Sequence, residues 1–405
     1  MMPVVNSQPA SGSGHRSFAQ NLGALPRASW VLFAGTFINR FGTFVMPMLA
    51  IYLTRSGYSI AQTGIAISAY GGGHIVTSIL GGHLADRFGR RNTIALSMFA
   101  SGGAMLALSQ ARGYAAIVAC TFLAGSAAEL YRPASSALIG DLVAPEQRVL
   151  AFGLYRFAIN LGFAGGPATA GFLADRSFLY IFVADALTSF VYGVIALVAL
   201  PHGVRTAAHE EQAGEGYRAV LGDRRFVYFL AATMCLTWVD FQITSTLPIH
   251  VAKDGFSPSQ YGMLISLNGV LIVVFELALT AWTQRLPAQP LIAVGYFLNC
   301  AGIALTGLAH TLPALAATVV VWTAGEMIYA PVSSAYVTNL APERLRGRYH
   351  GLYVMAYSVG LLLGPAIGTA VFERSETALW VACGVSGMFA ALLARIRPAA
   401  ASTST

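Results

Sequence analysis

The chain has 405 residues, 56% of them hydrophobic and only 10% charged, with a mean hydropathy of +0.63. A soluble protein carries about 25% charged residues, so this composition excludes a water-soluble domain and makes the bilayer the principal partner. The net charge of +7 comes without a long basic run or an aromatic-basic stripe, which argues against nucleic acid.

In chain order, residues 1–28 are polar and rich in Ser, Gly, Gln and Pro, and read as a disordered cytoplasmic tail. The first apolar stretch is of full spanning length rather than the short core of a cleaved signal. Twelve apolar segments follow, at 29–54, 59–82, 92–111, 114–140, 147–173, 178–200, 225–251, 258–284, 289–309, 313–340, 346–372 and 376–396. Each approaches or exceeds the ~20 residues a spanning helix needs, and lipid leaves the backbone few alternatives to helix. The expected fold is an all-α membrane protein with twelve transmembrane helices in two pseudo-repeated six-helix bundles. The bundles cover 29–200 and 225–397, joined by a cytoplasmic linker at 201–224 and followed by a tail at 398–405.

The turns set the orientation. Sixteen arginines, from Arg16 and Arg27 to Arg395 and Arg397, fall on one side of the segments, against Arg55, Arg112, Arg176, Lys253 and Arg374 on the other. Positive charge collects on the cytoplasmic face, so both termini are expected there, in the cell inner membrane. The four cysteines, Cys120, Cys235, Cys300 and Cys383, all lie in apolar segments, which points to neither a disulfide framework nor a metal site. No Walker loop, metal-ligand spacing or nucleophile elbow occurs, so no cofactor, metal or enzymatic activity is expected.

The two halves repeat at a near-constant offset of 197 or 198 residues. Pro133, Ser135 and Ser136 return as Pro331, Ser333 and Ser334. Ala144-Pro145-Glu146 returns as Ala341-Pro342-Glu343, Gly153-Leu154-Tyr155 as Gly351-Leu352-Tyr353, and Gly166-Pro167 as Gly364-Pro365.

Between segments two and three stands a charged loop, Gly82-His83-Leu84-Ala85-Asp86-Arg87-Phe88-Gly89-Arg90-Arg91. Its spacing G-x-L-A-D-R-x-G-R-R resembles the loop signature of the major facilitator superfamily, a family of secondary transporters. The parallel repeat agrees with the architecture of that family. The resemblance implies a charge cluster of Asp86, Arg90 and Asp141, the last at the cytoplasmic end of segment four. With Gly82, Arg87, Gly89 and Arg91, this cluster would act as a conformational latch between halves. Segment five carries Gly153, Gly162, Gly166, Pro167 and Gly171 in the spacing G-x8-G-x3-G-P, which resembles the antiporter motif of the drug/proton exporters in this superfamily. Segment eleven repeats it with Gly351, Gly360, Gly364, Pro365 and Gly368, so helix packing alone is the competing reading.

Charge at membrane depth is expensive and points to function or to pairing. Arg40, Glu129, Arg132, Arg156, Asp185, Asp240, Glu276 and Glu326 lie inside spans. Segments one, four, seven and ten line the central cavity in the resembled family. They carry Arg40, Glu129, Arg132, Asp240 and Glu326, the proton-coupling candidates, with Glu129 favoured for its proximity to Arg132. The resembled family often places an arginine about four residues before a glycine in segment four; here that position is Thr121, before Gly125. Asp185, on the peripheral segment six, is expected to be structural. Phe37, Phe41, Tyr155, Trp238, Phe241, Tyr329 and Tyr353 are the expected cavity-lining aromatics, and His74 and His250 are expected to be packing or surface residues. The implied activity is proton-coupled export of small lipophilic or amphipathic molecules by a monomer, with small-molecule substrate and protons as partners. An uptake symporter or facilitator for a polar metabolite, and a non-transporting sensor or scaffold, are the alternatives.

Overall fold

The computed structural model describes residues 22–144, 147–202 and 213–396, without the side chains of 78–83, 85, 86 and 213–216. Residues 1–21 of the expected N-terminal tail, the expected C-terminal tail and residues 203–212 of the expected linker lie outside the described residues, while a helix already begins at Arg27. The described chain is helical and without strands. Among the described residues, eleven stretches are long and apolar enough to cross a membrane. The helix at Ile60–Phe88, which is not among these stretches, has 29 residues and is also long enough to span.

The elements are α1 (Arg27–Phe41), α2 (Val45–Arg55), α3 (Ile60–Phe88), α4 (Arg90–Gln110), α5 (Tyr114–Ala128), α6 (Tyr131–Leu142), α7 (Arg148–Arg176), α8 (Phe178–Ala199), α9 (Ala213–Gly222), α10 (Arg224–Asp240), α11 (Gln242–Ser245), α12 (Leu247–Lys253), α13 (Pro258–Thr283), α14 (Ala288–Leu305), α15 (Leu312–Leu340), α16 (Arg346–Arg374) and α17 (Glu376–Arg395). Local chemistry explains several starts. Ser59 with Gln62, and Ser257 with Gln260, form capping boxes on α3 and α13. These satisfy N–H groups that a helix start leaves open. Asp223 caps α10 by accepting from Arg225 N and Phe226 N.

Three expected continuous segments are broken near mid-membrane, and polar side chains repair each break, as lipid requires. Between α1 and α2, Asp185 Oδ2 accepts from Phe44 N at 3.0 Å and Val45 N at 3.1 Å. That agrees with a structural role for Asp185. Between α5 and α6, Ser97 Oγ donates to Ala127 O at 2.6 Å and accepts from Tyr131 N at 3.1 Å. Beyond α10, the fully buried Gln242 donates to Trp238 O at 2.7 Å and to Gly364 O at 3.0 Å.

The charged stretch at 82–91 is not a loop. α3 runs to Phe88, and the chain turns only at Gly89, whose φ of 84° favours a residue without Cβ. The expected polar linker also contains a helix. α9 presents buried Val220 to the bundle and packs on α10 and α16, with Arg348 over the Tyr217 ring.

Neighbour relations recur along the chain. α1 packs on α7 as α10 packs on α16; α3 packs on α5 as α13 packs on α15; α4 packs on α8 as α14 packs on α17. The two long seams between early and late helices are α3 with α16 and α7 with α13. α2 also meets α11 and α12. Val198, Leu277 and Leu308 project outward and largely exposed, which suits hydrocarbon rather than water.

Candidate functional site

Glycine makes the seams close. A Cβ on Gly162 would stand 2.8 Å from Phe41 N and 2.9 Å from Phe37 O, and one on Gly166 would stand 2.6 Å from Phe41 O. A Cβ on Gly171 would stand 2.4 Å from Pro258 O, on the other seam. Gly153 departs from this pattern, because open space surrounds the position of its Cβ. Pro167 sits inside α7 and Pro365 inside α16. Beyond each, a serine of the facing helix binds the backbone: Ser266 Oγ accepts from Ala168 N, and Ser68 Oγ from Ala366 N at 3.0 Å.

The structure brings together Arg40, Glu129 and Arg132. Glu129, at the break between α5 and α6, accepts from Arg40 Nη2 at 3.2 Å, and its other oxygen lies 3.1 Å from Arg132 Nη1. Arg40 Nε donates to Tyr131 OH at 2.9 Å. Arg132 is half-exposed although its head reaches the buried carboxylate. His74, expected to be a bystander, belongs here: Nε2 stands 3.7 Å from Glu129 Oε2, and Nδ1 bonds Ser358 Oγ of α16 at 3.0 Å. Its place on the glycine-lined face of α3 was the available signal.

A second polar cluster lies in the later helices and is built differently. Asp240, the last residue of α10, accepts from Asn299 Nδ2 at 3.1 Å. Glu326, within α15, accepts from Asn268 Nδ2 at 2.9 Å, and the same amide donates to Thr323 Oγ1 at 3.1 Å. Among the described residues no cation pairs with either acid. Arg156, which shares a cavity of about 40 Å³ with Glu326, is held by Glu276 across the α7–α13 seam, where Asn160 also donates to Glu276 at 3.4 Å. The two buried amides, Asn268 and Asn299, carry no charge, so the cost of charge at membrane depth does not single them out in the sequence.

Arg40 and Asp240 lie in similar settings, although they are 200 residues apart rather than the 197 or 198 of the repeat. Each ends or nearly ends the first helix of a broken span, and each precedes a phenylalanine, Phe41 or Phe241. Glu129 and Glu326 do match in the repeat. The earlier half therefore pairs an acid with a cation where the later half sets two acids.

Arg90 Nε lies 3.2 Å from Asp141 Oδ2, joining α4 to α6. Arg87 is exposed over the Phe88 ring, and Arg91 Nε donates to Asn92 Oδ1 at 3.3 Å. The surroundings of Gly82 and the side chain of Asp86 lie outside what is described, although both residues are within α3. The aromatic candidates do not form one lining. Phe37 and Phe41 stack at 6.0 Å against α7. Trp238 turns away to α17, donating from Nε1 to Ser386 Oγ at 2.8 Å, because that position faces the neighbour in its own half. Phe241 is half-buried, while Tyr329 and Tyr353 are buried, packed against Tyr296 and Phe229 respectively. Tyr155 is buried too, and its hydroxyl has no hydrogen-bond partner among the described residues.

The chain is similar to known transporters along most of its length. It is 24% identical over 383 residues to the multidrug resistance protein MdtH of Salmonella arizonae, covering 92% of each chain. It is 23% identical over 366 residues to a Na(+), Li(+), K(+)/H(+) antiporter of Planococcus maritimus, covering 81% of this chain and 85% of that one. The crystal structure of the peptide transporter POT in complex with sulfate superposes with a TM-score of 0.76 at 18% identity, covering 91% and 94%. That likeness is one of fold. The sequence profile of the Major Facilitator Superfamily matches residues 32–254 and again 229–405. With its recurring helix neighbours and eleven spanning-length stretches, this multi-pass membrane protein belongs to the Major Facilitator Superfamily.

Proposed function

We propose that the protein is a proton-coupled secondary transporter of the cell inner membrane, exporting small lipophilic or amphipathic molecules by alternating access. Twelve helices in two six-helix bundles, 29–200 and 225–397, with both termini cytoplasmic, would rock about the α3–α16 and α7–α13 seams. The protein works as a monomer. Contact of α2 with α11 and α12 supports an arrangement closed on the side of the sparsely charged turns.

One observation carries the coupling assignment: Asp240 and Glu326 have amide donors and no paired cation among the described residues. A buried carboxylate without a cation favours its neutral form, whereas one held by arginines favours its charged form. Glu129, with Arg40 and Arg132, is therefore the structural acid. Asp240 and Glu326 are the groups that gain and lose protons, which changes the order expected from sequence. The similarity to a multidrug resistance protein supports the substrate class. A second reading, exchange of a monovalent cation for protons, is favoured by the same pair of acids and by the similarity to a cation/proton antiporter.

The test uses purified protein in liposomes with an imposed pH gradient. Wild-type protein is expected to concentrate a lipophilic dye until an uncoupler is added. Asp240→Asn and Glu326→Gln should keep dye exchange but lose uphill accumulation. Full accumulation in both variants overturns the assignment. Gradient-driven sodium or potassium flux without dye transport selects the cation reading.

A further inference from the structure

Away from the central clusters, α12 ends in a turn that carries Asp254 before Gly255. His250 lies one helical turn earlier, the turn between α14 and α15 carries His310, and Glu376 begins α17. These elements meet on the side of the sparsely charged turns. His310 Nδ1 stands 3.1 Å from Asp254 Oδ2, and His250 Nε2 stands 3.6 Å from the same oxygen. The three ligand atoms lie within 4.8 Å of one another. Donors about 2.0–2.2 Å from a tetrahedral zinc ion are separated by roughly 3.2–3.6 Å. The separations of 3.1 and 3.6 Å to Asp254 are near that spacing, and the third, between the two imidazoles, is at most 4.8 Å, within reach of a side-chain shift.

The buried side of His250 completes the arrangement. Its side chain is only 2% exposed, and Nδ1 has no hydrogen-bond partner among the described residues. Nδ1 faces Glu376 Oε2 at 3.6 Å, while the other Glu376 oxygen is held by Lys253. A carboxylate behind a metal-bound imidazole fixes its tautomer and raises its basicity. Trp380 packs edge-on against the His250 ring at 5.5 Å, limiting its rotation. His310, with its side chain 64% exposed, gives an ion a route from solvent and leaves a fourth position for water. Two imidazoles and one carboxylate suit zinc-like ions, whereas calcium and magnesium require an oxygen cage.

We propose that His250, Asp254 and His310 bind one divalent transition-metal ion of the zinc class, with Glu376 positioning His250. The ion would tie the end of α12 to the 306–311 turn. Because α12 packs on α2, the ion would stiffen the closed end of the protein. This assignment does not depend on the transported substrate.

The probe is Co²⁺, titrated into untagged, chelator-treated full-length protein in detergent. One equivalent should give the intense visible bands of a four-coordinate ion, and Zn²⁺ should displace them. His310→Ala, at an exposed position, should abolish the bands without changing the far-UV spectrum. His310→Cys should restore binding with a thiolate charge-transfer band. Glu376→Gln should keep the four-coordinate spectrum with affinity about 10–100-fold lower. Unchanged bands in His310→Ala, or only the weak bands of six-coordinate cobalt in the wild-type protein, overturn the site and leave an ion-pair cluster.

Discussion

Ser266 accepts a hydrogen bond from the backbone N–H of Ala168 at 2.9 Å, one residue past Pro167 and across the α7–α13 seam. The proline disturbs the helical ladder around it, and a side chain from the facing helix takes up the exposed N–H. Ser68 and Ala366 repeat the relationship on the α3–α16 seam. The serines lie 198 residues apart, as do the prolines, so a single interaction is used twice with the partners exchanged. Ser68→Ala and Ser266→Ala should each weaken the observed closed state by about 0.5–1.5 kcal/mol, the net worth of one hydrogen bond. Spin-label distances between the ends of α2 and α12 should show a larger open fraction in each variant and a further rise in the double variant. An unchanged distance distribution in the double variant removes the serines from the conformational balance.

The two polar clusters should respond oppositely to neutralisation. Glu129→Gln leaves Arg40 and Arg132 facing each other without their shared acid, and breaking a buried pair costs about 3–5 kcal/mol. Glu326→Gln instead removes a charge that has only an amide partner. Thermal unfolding in detergent should place the Glu129→Gln midpoint well below wild type and Glu326→Gln at or above it. The reverse order would show that Glu129 is not held in place by the arginines.

Substitution along α7 should separate packing glycines from the open one. Gly162→Ala and Gly166→Ala place a methyl group against the α1 backbone, where overpacking costs typically about 1–3 kcal/mol. Gly153→Ala meets no atom within 4 Å, and it gains up to about 1 kcal/mol of helix propensity. Transport and melting temperature should fall in the first two and hold or rise in the third. Equal loss in all three would make the motif something other than a packing surface.

Arg90 and Asp141 tie the start of α4 to α6 at the face carrying most of the arginines. Asp141→Asn, and Asp86→Asn in the same motif, should slow turnover severalfold while leaving equilibrium substrate binding within about twofold, since the contact is far from the mid-membrane clusters. Loss of binding with unchanged turnover per bound substrate would refute the latch.

Hydropathy was sufficient to locate the eleven spanning stretches among the described residues, because spanning length and apolar composition are local properties, but it missed α9 and the run of α3 to Phe88. What escaped it depends on partners distant in sequence. The breaks after Phe41, Ala128 and Asp240 are tolerated because Asp185, Ser97 and Gln242 satisfy the open backbone groups, and neither Asp185 nor Ser97 is near its break in sequence. Glu129 stood out through Arg132, three residues away, and the two are paired, but the second partner, Arg40, lies 89 residues off. His74 reaches Ser358 over 284 residues, a relation no pattern within one segment reveals. The direction of Trp238 toward α17 likewise follows from tertiary packing alone.

The difference in charge between the two clusters also has an electrical consequence. With its acid charged, the earlier cluster of Arg40, Arg132 and Glu129 carries one net positive charge, and Asp240 with Glu326 adds none, one or two negative charges according to proton occupancy. Any movement of the late helices relative to the bilayer then displaces charge across the membrane field, where one elementary charge is worth about 2.3 kcal/mol per 100 mV. The cycle would be driven by voltage as well as by pH, and proton occupancy would determine how strongly each half-step feels the membrane potential.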